Sequence, residues 1–74
     1  MKLKWYDVED EMKVYEALLW ENDNTLLLDE YYTTKSEAVR AVRAAKKSYK
    51  GNGKLDCYVR YFDYQNDTVT DFNL

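Results

Sequence analysis

Histidine and proline are absent from this 74-residue chain, which has one cysteine and only two glycines. Without histidine it has no Ser-His-Asp or Cys-His catalytic arrangement, no histidine-ligated zinc and no histidine acid–base catalysis. The single Cys57 can form neither an intrachain disulfide nor a cysteine metal cage, which suits a reducing setting. The scarcity of glycine and proline is typical of regular structure with tight connections.

Long apolar runs are also missing. The longest uncharged apolar stretch, residues 17–20, is far too short to span a bilayer, and the charged residues 1–7 do not resemble a signal peptide. Acidic pairs such as Asp29-Glu30 are typical of solvated surface, because carboxylate catalysis needs two groups converging across a cleft. We therefore expect a cytoplasmic protein with no enzymatic activity, cofactor, metal site or membrane association.

One segment carries a charge opposite to that of the rest of the chain. Residues 35–50 contain six basic residues and the single acid Glu37, a net of +5, whereas the remainder carries −8 and the whole chain −3. Thr34 and Glu37 have the spacing of an N-terminal capping box, with threonine at the N-cap and glutamate at N3. The sequence therefore predicts a helix over residues 35–49.

The two faces of this predicted helix differ in character. One carries small apolar residues at helical spacing, which allow close packing on a sheet: Ala38, Ala41, Val42, Ala45 and Tyr49. The other, which we name the basic helix face, carries Arg40, Arg43, Lys46, Lys47 and Lys50. Gly51 or Gly53 is expected to end the helix.

The chain after the helix alternates with the two-residue period of a strand. One face holds Leu55, Cys57, Val59 and Tyr61, and the other holds Asp56, Tyr58, Arg60, Phe62 and Tyr64. Residues 65–67 have the composition of a hairpin turn, and residues 68–72 would form the returning strand. Within this pattern Cys57 is expected to be a buried structural thiol.

The first third of the chain admits two interpretations. In one, residues 12–20 and 26–33 form a hairpin around residues 22–24, with an additional edge strand over residues 3–8. In the other, a helix is capped by Asp7, with Asp10 at N3, and buries Trp5, Val8, Met12, Tyr15 and Leu19. The helix-forming residues favour the helix, whereas the Asn-Asp-Asn triplet and the symmetry with the C-terminal hairpin favour the hairpin.

The hairpin interpretation gives a single α+β domain over residues 1–74. Two hairpins form a small antiparallel sheet, with the chain in ββαββ order and one helix packed on one face. A single helix leaves the other face of such a sheet to solvent or to another chain.

That other face would carry four residues, named here the aromatic patch: Tyr58, Arg60, Phe62 and Tyr64. These residue types anchor protein interfaces, and an exposed aromatic cluster is unusual on a monomer. We therefore expect a protein-binding module acting by surface complementarity, as an inhibitor or accessory subunit, or a homodimer through this face. The alternatives are that the N-terminal segment folds over the patch, or that the patch merely forms cross-strand side-chain ladders.

Two charged surfaces support other hypotheses. The basic helix face could contact phosphates, so nucleic-acid binding is the alternative function, although a pI of about 4.8 disfavours it. Acidic residues could instead imitate a phosphate backbone and occupy the groove of a basic nucleic-acid-processing protein. These are Asp7, Glu9, Asp10, Glu11, Glu16, Glu21 and Asp23.

In size, acidity and its content of eight tyrosines, the chain resembles small phage and mobile-element inhibitors of host defence, such as anti-CRISPR proteins. The resemblance extends over the whole length but includes no diagnostic motif, so it assigns no site residue. It implies an anti-defence inhibitor working in the cytoplasm of a host cell.

Overall fold

The computed structural model describes residues 1–4 and 13–74 as one helix on a five-stranded antiparallel sheet. The elements are β1 (Lys2–Leu3), β2 (Lys13–Glu21), β3 (Thr25–Tyr32), α1 (Lys35–Ser48), β4 (Leu55–Asp63) and β5 (Thr68–Asn73). The strand order is β1-β3-β2-β4-β5. The predicted α+β class, the ββαββ order and an N-terminal edge strand are confirmed. The part of that edge strand expected over residues 5–8 lies outside the described residues.

The first hairpin turns on residues in the left-handed region of backbone space. Asn22 and Asp23 have φ of 54° and 64°, and the amide of Asn24 donates to the carbonyl of Glu21 at 3.2 Å. Asparagine and aspartate tolerate this conformation better than other non-glycine residues, which explains the triplet. The helical interpretation is therefore wrong for Tyr15 and Leu19, while its remaining stripe and cap residues lie outside the described part of the chain.

A β-bulge in this hairpin was not expected from the sequence. Leu19 pairs with Leu28, but the next pair joins Trp20 to Leu26, so Leu27 has no partner on β2. The extra residue shifts the alternation of β3 relative to β2. As a result, Leu26 and Leu27 are both more than 40% exposed (41% and 43%).

The second hairpin agrees closely with the prediction. β4 ends at Asp63, whose carboxylate accepts hydrogen bonds from the Asn66 side chain at 2.9 Å and the Asn66 amide at 3.2 Å. These bonds lower the pKa of Asp63. Asp67 then takes a positive φ of 53°, which reverses the chain into β5.

The predicted capping box forms at the start of α1. The Thr34 hydroxyl accepts a hydrogen bond from the Glu37 amide at 3.3 Å and donates to the Glu37 carboxylate at 2.7 Å. The amino group of Met1 also contacts that carboxylate. Hydrogen bonds from the amino group and from Thr34 lower the pKa of Glu37.

The end of α1 differs from the prediction. The C-cap is Tyr49, in an extended conformation with φ −68° and ψ 130°, and neither glycine has a positive φ. Tyr49 instead turns its hydroxyl toward Glu21, to which it donates, and accepts from the Gly53 amide at 2.8 Å. A Cβ at Gly51 would collide with the Tyr49 ring, so the glycine makes room for this contact instead of ending the helix.

The core lies between α1 and the two central strands. Its buried members are small or branched: Ala17, Leu19, Ala38, Val42, Cys57 and Val59. Ala17 and Ala38 are fully buried and let the helix lie close to β2. The predicted stripe of α1 and the buried state of Cys57 are thus confirmed.

Candidate functional site

The face of the sheet opposite α1, called the sheet face below, is defined by the strand register. Because Ala17, Leu19, Cys57 and Val59 pack on the helix, the alternate residues point to the other side. Its members on the two central strands are Val14, Glu16, Leu18 and Trp20 of β2 and Asp56, Tyr58, Arg60 and Phe62 of β4. The neighbouring strands add Tyr31 and Asp29 of β3 and Val69, Asp71 and Asn73 of β5.

The middle of the sheet face is closed to solvent, although α1 lies on the opposite face. Val14 is 0% and Leu18 4% exposed. Each lies on the central strand and pairs with a larger aromatic residue of β4, Phe62 beside Val14 and Tyr58 beside Leu18. The expectation of a wholly uncovered face is therefore wrong at its centre, where the aromatic side chains flank the smaller ones.

The aromatic patch itself remains accessible. Tyr58, Arg60 and Phe62 are half-buried, and Tyr64 is 41% exposed. The rings of Phe62 and Tyr64 stack with centroids 5.9 Å apart and planes inclined by 8°. Tyr58 accepts a hydrogen bond from the Trp20 indole at 3.2 Å. The four predicted residues thus lie together, held in place by their neighbours and still open to a partner.

Arg60 is the cation of this patch, and Asp71 neutralises it. Its Nε and Nη2 donate to the two carboxylate oxygens of Asp71 at 2.9 Å and 3.4 Å. The guanidinium also lies 5.5 Å from the centroid of the Tyr58 ring. The hydrogen bond with Asp71 raises the pKa of Arg60. The guanidinium lies close enough to the Tyr58 ring for a cation–π attraction.

Glu16, across from Arg60 on β2, is 7% exposed on the same face. Burial and a hydrogen bond with Asp29 raise the pKa of Glu16 to about 7, against smaller opposing influences of Tyr31 and Arg60. Burial, followed by the charges of Glu16 and Asp29, raises the pKa of Tyr31 to about 12. A row of titratable side chains therefore crosses the sheet from Tyr31 through Glu16 and Arg60 to Asp71.

The net charge of the sheet face is negative. Its charged strand residues within the described part of the chain are four acids, Glu16, Asp29, Asp56 and Asp71, and one base, Arg60. Sequence reasoning found Arg60 but missed Glu16 and Asp71 as its neighbours, because only the register of strand pairing places them beside it. The predicted alternation of β4 did place Asp56 with the patch.

The basic helix face lies on the opposite side of the molecule. Arg40, Arg43, Lys46, Lys47 and Lys50 are all exposed, and none makes a salt bridge with another residue that the structure describes. A shallow groove of about 590 Å³ runs beside the N-terminal half of α1, where Arg40 and Arg43 flank Val39. Lys35 at its end lies 3.9 Å from the centroid of the Phe72 ring.

The predicted acidic mimic of a phosphate backbone is not displayed as expected. Glu16 is buried, and Glu21 accepts the hydroxyl of Tyr49, so two of its members serve internal contacts. Asp23 remains exposed in the hairpin turn. Its other four members, residues 7 and 9–11, lie outside the described residues.

Two kinds of feature are missing from residues 1–4 and 13–74. No three histidine, cysteine, aspartate or glutamate side chains there are grouped to hold a metal ion. No helix there has the length and apolar character to cross a bilayer. Comparison with known protein families, curated proteins and solved structures gives no match.

Proposed function

We propose that this chain is a protein-binding module that docks through the aromatic patch on a partner presenting arginine and lysine side chains. The observation that carries the proposal is that Tyr58, Phe62 and Tyr64 remain accessible on a sheet face whose charge is negative. Aromatic side chains bury much area for little lost rotamer freedom, and such residues dominate interface energies.

Charge complementarity favours a partner with a basic surface. The one cation among the described strand residues of the sheet face is already paired with Asp71, whereas Asp29 and Asp56 also lie on this face. A basic surface would be steered toward this face and away from the basic helix face. An inhibitor or accessory subunit that covers a basic protein surface has this character, in line with the resemblance to small anti-defence inhibitors.

Affinity capture with matched baits tests the proposal. Wild type, the patch variant Phe62→Ala with Tyr64→Ala, and the helix variant Arg43→Glu with Lys47→Glu are immobilised at equal density, and retained proteins are quantified. We expect basic proteins retained by wild type and by the helix variant and lost from the patch variant. Equal retention on all three baits would refute the proposal.

The alternative of self-association is read from the same variants. If the patch joins two copies of this chain, the solution mass of wild type measured by light scattering doubles with concentration and that of the patch variant does not. That outcome would replace the foreign partner by a second copy.

Nucleic-acid binding is the second candidate, favoured by the five exposed cations of the basic helix face, which make no salt bridge within the described residues. Retardation of a short duplex or single strand at low salt, abolished by the helix variant and retained by the patch variant, would support it. Absence of retardation by wild type at low salt would end it.

A further inference from the structure

A recess of about 490 Å³ opens at one end of the sheet, next to the aromatic patch. It is lined by side chains from the first hairpin turn, from β2 and from the beginning of β4: Trp20, Asp23, Leu55, Asp56 and Tyr58, with Asn73 at its side. Tyr58 belongs both to this recess and to the aromatic patch, so the two surfaces are continuous.

Two aromatic rings form the walls of the recess and hold each other in place. Trp20 and Tyr58 lie on neighbouring strands, and the hydrogen bond of 3.2 Å from the indole to the hydroxyl fixes their relative position. Both are half-buried, so each ring keeps part of its surface toward the recess. Tryptophan and tyrosine faces attract cations, and fixed rings lose no further freedom when one binds.

Two carboxylates complete the lining. Asp23 lies in the hairpin turn, where it has a positive φ. Asp56 lies beside Trp20, with which it pairs across β2 and β4. A hydrogen bond with Asp23, followed by burial, raises the pKa of Asp56, and the charge of nearby Lys54 opposes this only weakly. Two carboxyl groups this close together repel each other when both are ionised, and a cation between them removes that repulsion.

We propose that this recess binds the guanidinium group of an arginine side chain, stacked on Trp20 and Tyr58 and paired with Asp23 and Asp56. A planar guanidinium can stack on a ring while its N–H groups meet carboxylates in its own plane, which an ammonium group cannot do. The inference rests on the proposed function for the source of the arginine, which is the basic partner, and it names the anchor by which that partner is held.

The probe is Nα-acetyl-arginine methylamide, titrated into the ¹⁵N-labelled full chain at low salt and followed by two-dimensional NMR. The matched control ligand is the corresponding citrulline derivative, which has the same shape without the charge. We expect saturable shifts of the Trp20 indole N–H, assigned with Trp20→Phe, and of the Asp56 and Tyr58 amides. A dissociation constant on the order of millimolar suits a single anchored side chain.

Variants decide whether the carboxylates act as proposed. Asp23→Asn and Asp56→Asn should each weaken the probe about fivefold or more, and asparagine keeps the positive φ needed at position 23. Asp67→Asn removes an exposed carboxylate from the distant hairpin turn and should leave binding unchanged. Retained dispersion of the NMR spectrum shows which variants are folded. If Asp56→Asn does not fold, the affinity of Asp23→Asn alone decides whether the carboxylates contribute to binding.

Three results would overturn the inference: equal shifts with citrulline, shifts confined to α1, or unchanged affinity in both aspartate variants. These outcomes are independent of the capture experiment. If the recess does not bind the probe but the patch variant still loses its partners, only the inference of an arginine site is refuted. If the probe binds but capture does not depend on the patch, the recess stands and the proposed function fails.

Discussion

The carboxyl groups of Glu16 and Asp29 share a hydrogen bond on the sheet face, with Glu16 only 7% exposed. Glu16 is a direct neighbour of Arg60 on β4, yet that guanidinium is committed to Asp71. Burial and the second carboxyl group therefore outweigh the cation, and Glu16 holds its proton to about pH 7.

Glu16→Gln should change how stability depends on pH. Since the pKa of Glu16 lies near 7 in the folded chain and near 4.5 when unfolded, its stabilising contribution is full below about pH 4.5 and is lost as pH rises through 7. The full shift corresponds to about 3 kcal/mol, and discounting it for solvent screening reduces the expected change to roughly 2 kcal/mol. Because glutamine does not ionise, Glu16→Gln should not lose this stability as the pH rises.

Urea unfolding of both proteins at pH 5, 6, 7 and 8 measures the effect. The free energy of unfolding of Glu16→Gln relative to wild type should rise across that series by most of that amount. Asp67→Asn, which also removes one negative charge, is the control and should follow wild type. A constant difference between Glu16→Gln and wild type at all four pH values contradicts the account of Glu16.

Tyr49→Phe should lower the melting temperature, because its hydroxyl links Glu21 to the Gly53 amide and so ties the end of α1 to the sheet. We expect a decrease of roughly 5 °C in thermal unfolding. Tyr64→Phe removes a hydroxyl from an exposed ring and should melt with wild type. Equal melting of the two variants would show that the Tyr49 bridge contributes nothing.

Thr34→Ala should destabilise the chain by about 1 kcal/mol, since it removes the acceptor for the Glu37 amide. Thr34→Ser keeps the hydroxyl and should recover most of the loss. Urea unfolding monitored by circular dichroism gives both values. Equal destabilisation by alanine and serine would mean that the threonine methyl group, and not the cap, is what matters.

Leu19→Ala and Leu27→Ala distinguish the core from the bulge. Leu19 is 1% exposed beneath α1, so its truncation should cost about 2–5 kcal/mol. Leu27 is 43% exposed at the bulge, and its truncation should change the free energy of unfolding by less than about 1 kcal/mol. Similar losses for both would place Leu27 in the core and contradict the register described for β3.

Local sequence signals predict the elements well and their junctions less well. The two-residue alternation of β4 and the capping box at Thr34 depend only on near neighbours, so both are correctly predicted. The bulge at Leu27 and the burial of Glu16 depend on how β2 pairs with β3 and β4, which no local pattern contains. The prediction that a glycine ends α1 is wrong. Gly51 is needed because a larger side chain there would collide with the Tyr49 ring, and it does not form the C-cap of the helix.

In the candidate site, too, residues placed by a local pattern are predicted from the sequence, and residues placed by strand pairing are not. The residues of the aromatic patch follow from the two-residue strand period, which by itself places Tyr58, Arg60 and Phe62 on one face of β4. Asp71 reaches Arg60 only through the pairing of β4 with β5, and Asp23 reaches Asp56 only through the hairpin turn. Sequence alone therefore places the aromatic residues and Asp56 on one face of β4, but it misses Asp29 and Asp71, which only strand pairing brings to that face.

The most direct test of the sheet face as a docking surface is calorimetric titration of a basic protein recovered by the affinity capture, with wild type and with the two paired variants. Phe62→Ala with Tyr64→Ala should weaken binding about tenfold or more, whereas Arg43→Glu with Lys47→Glu should bind at least as tightly as wild type. An unchanged dissociation constant for the first variant, together with a loss of binding by the second, would place the interface on the helix and contradict the account.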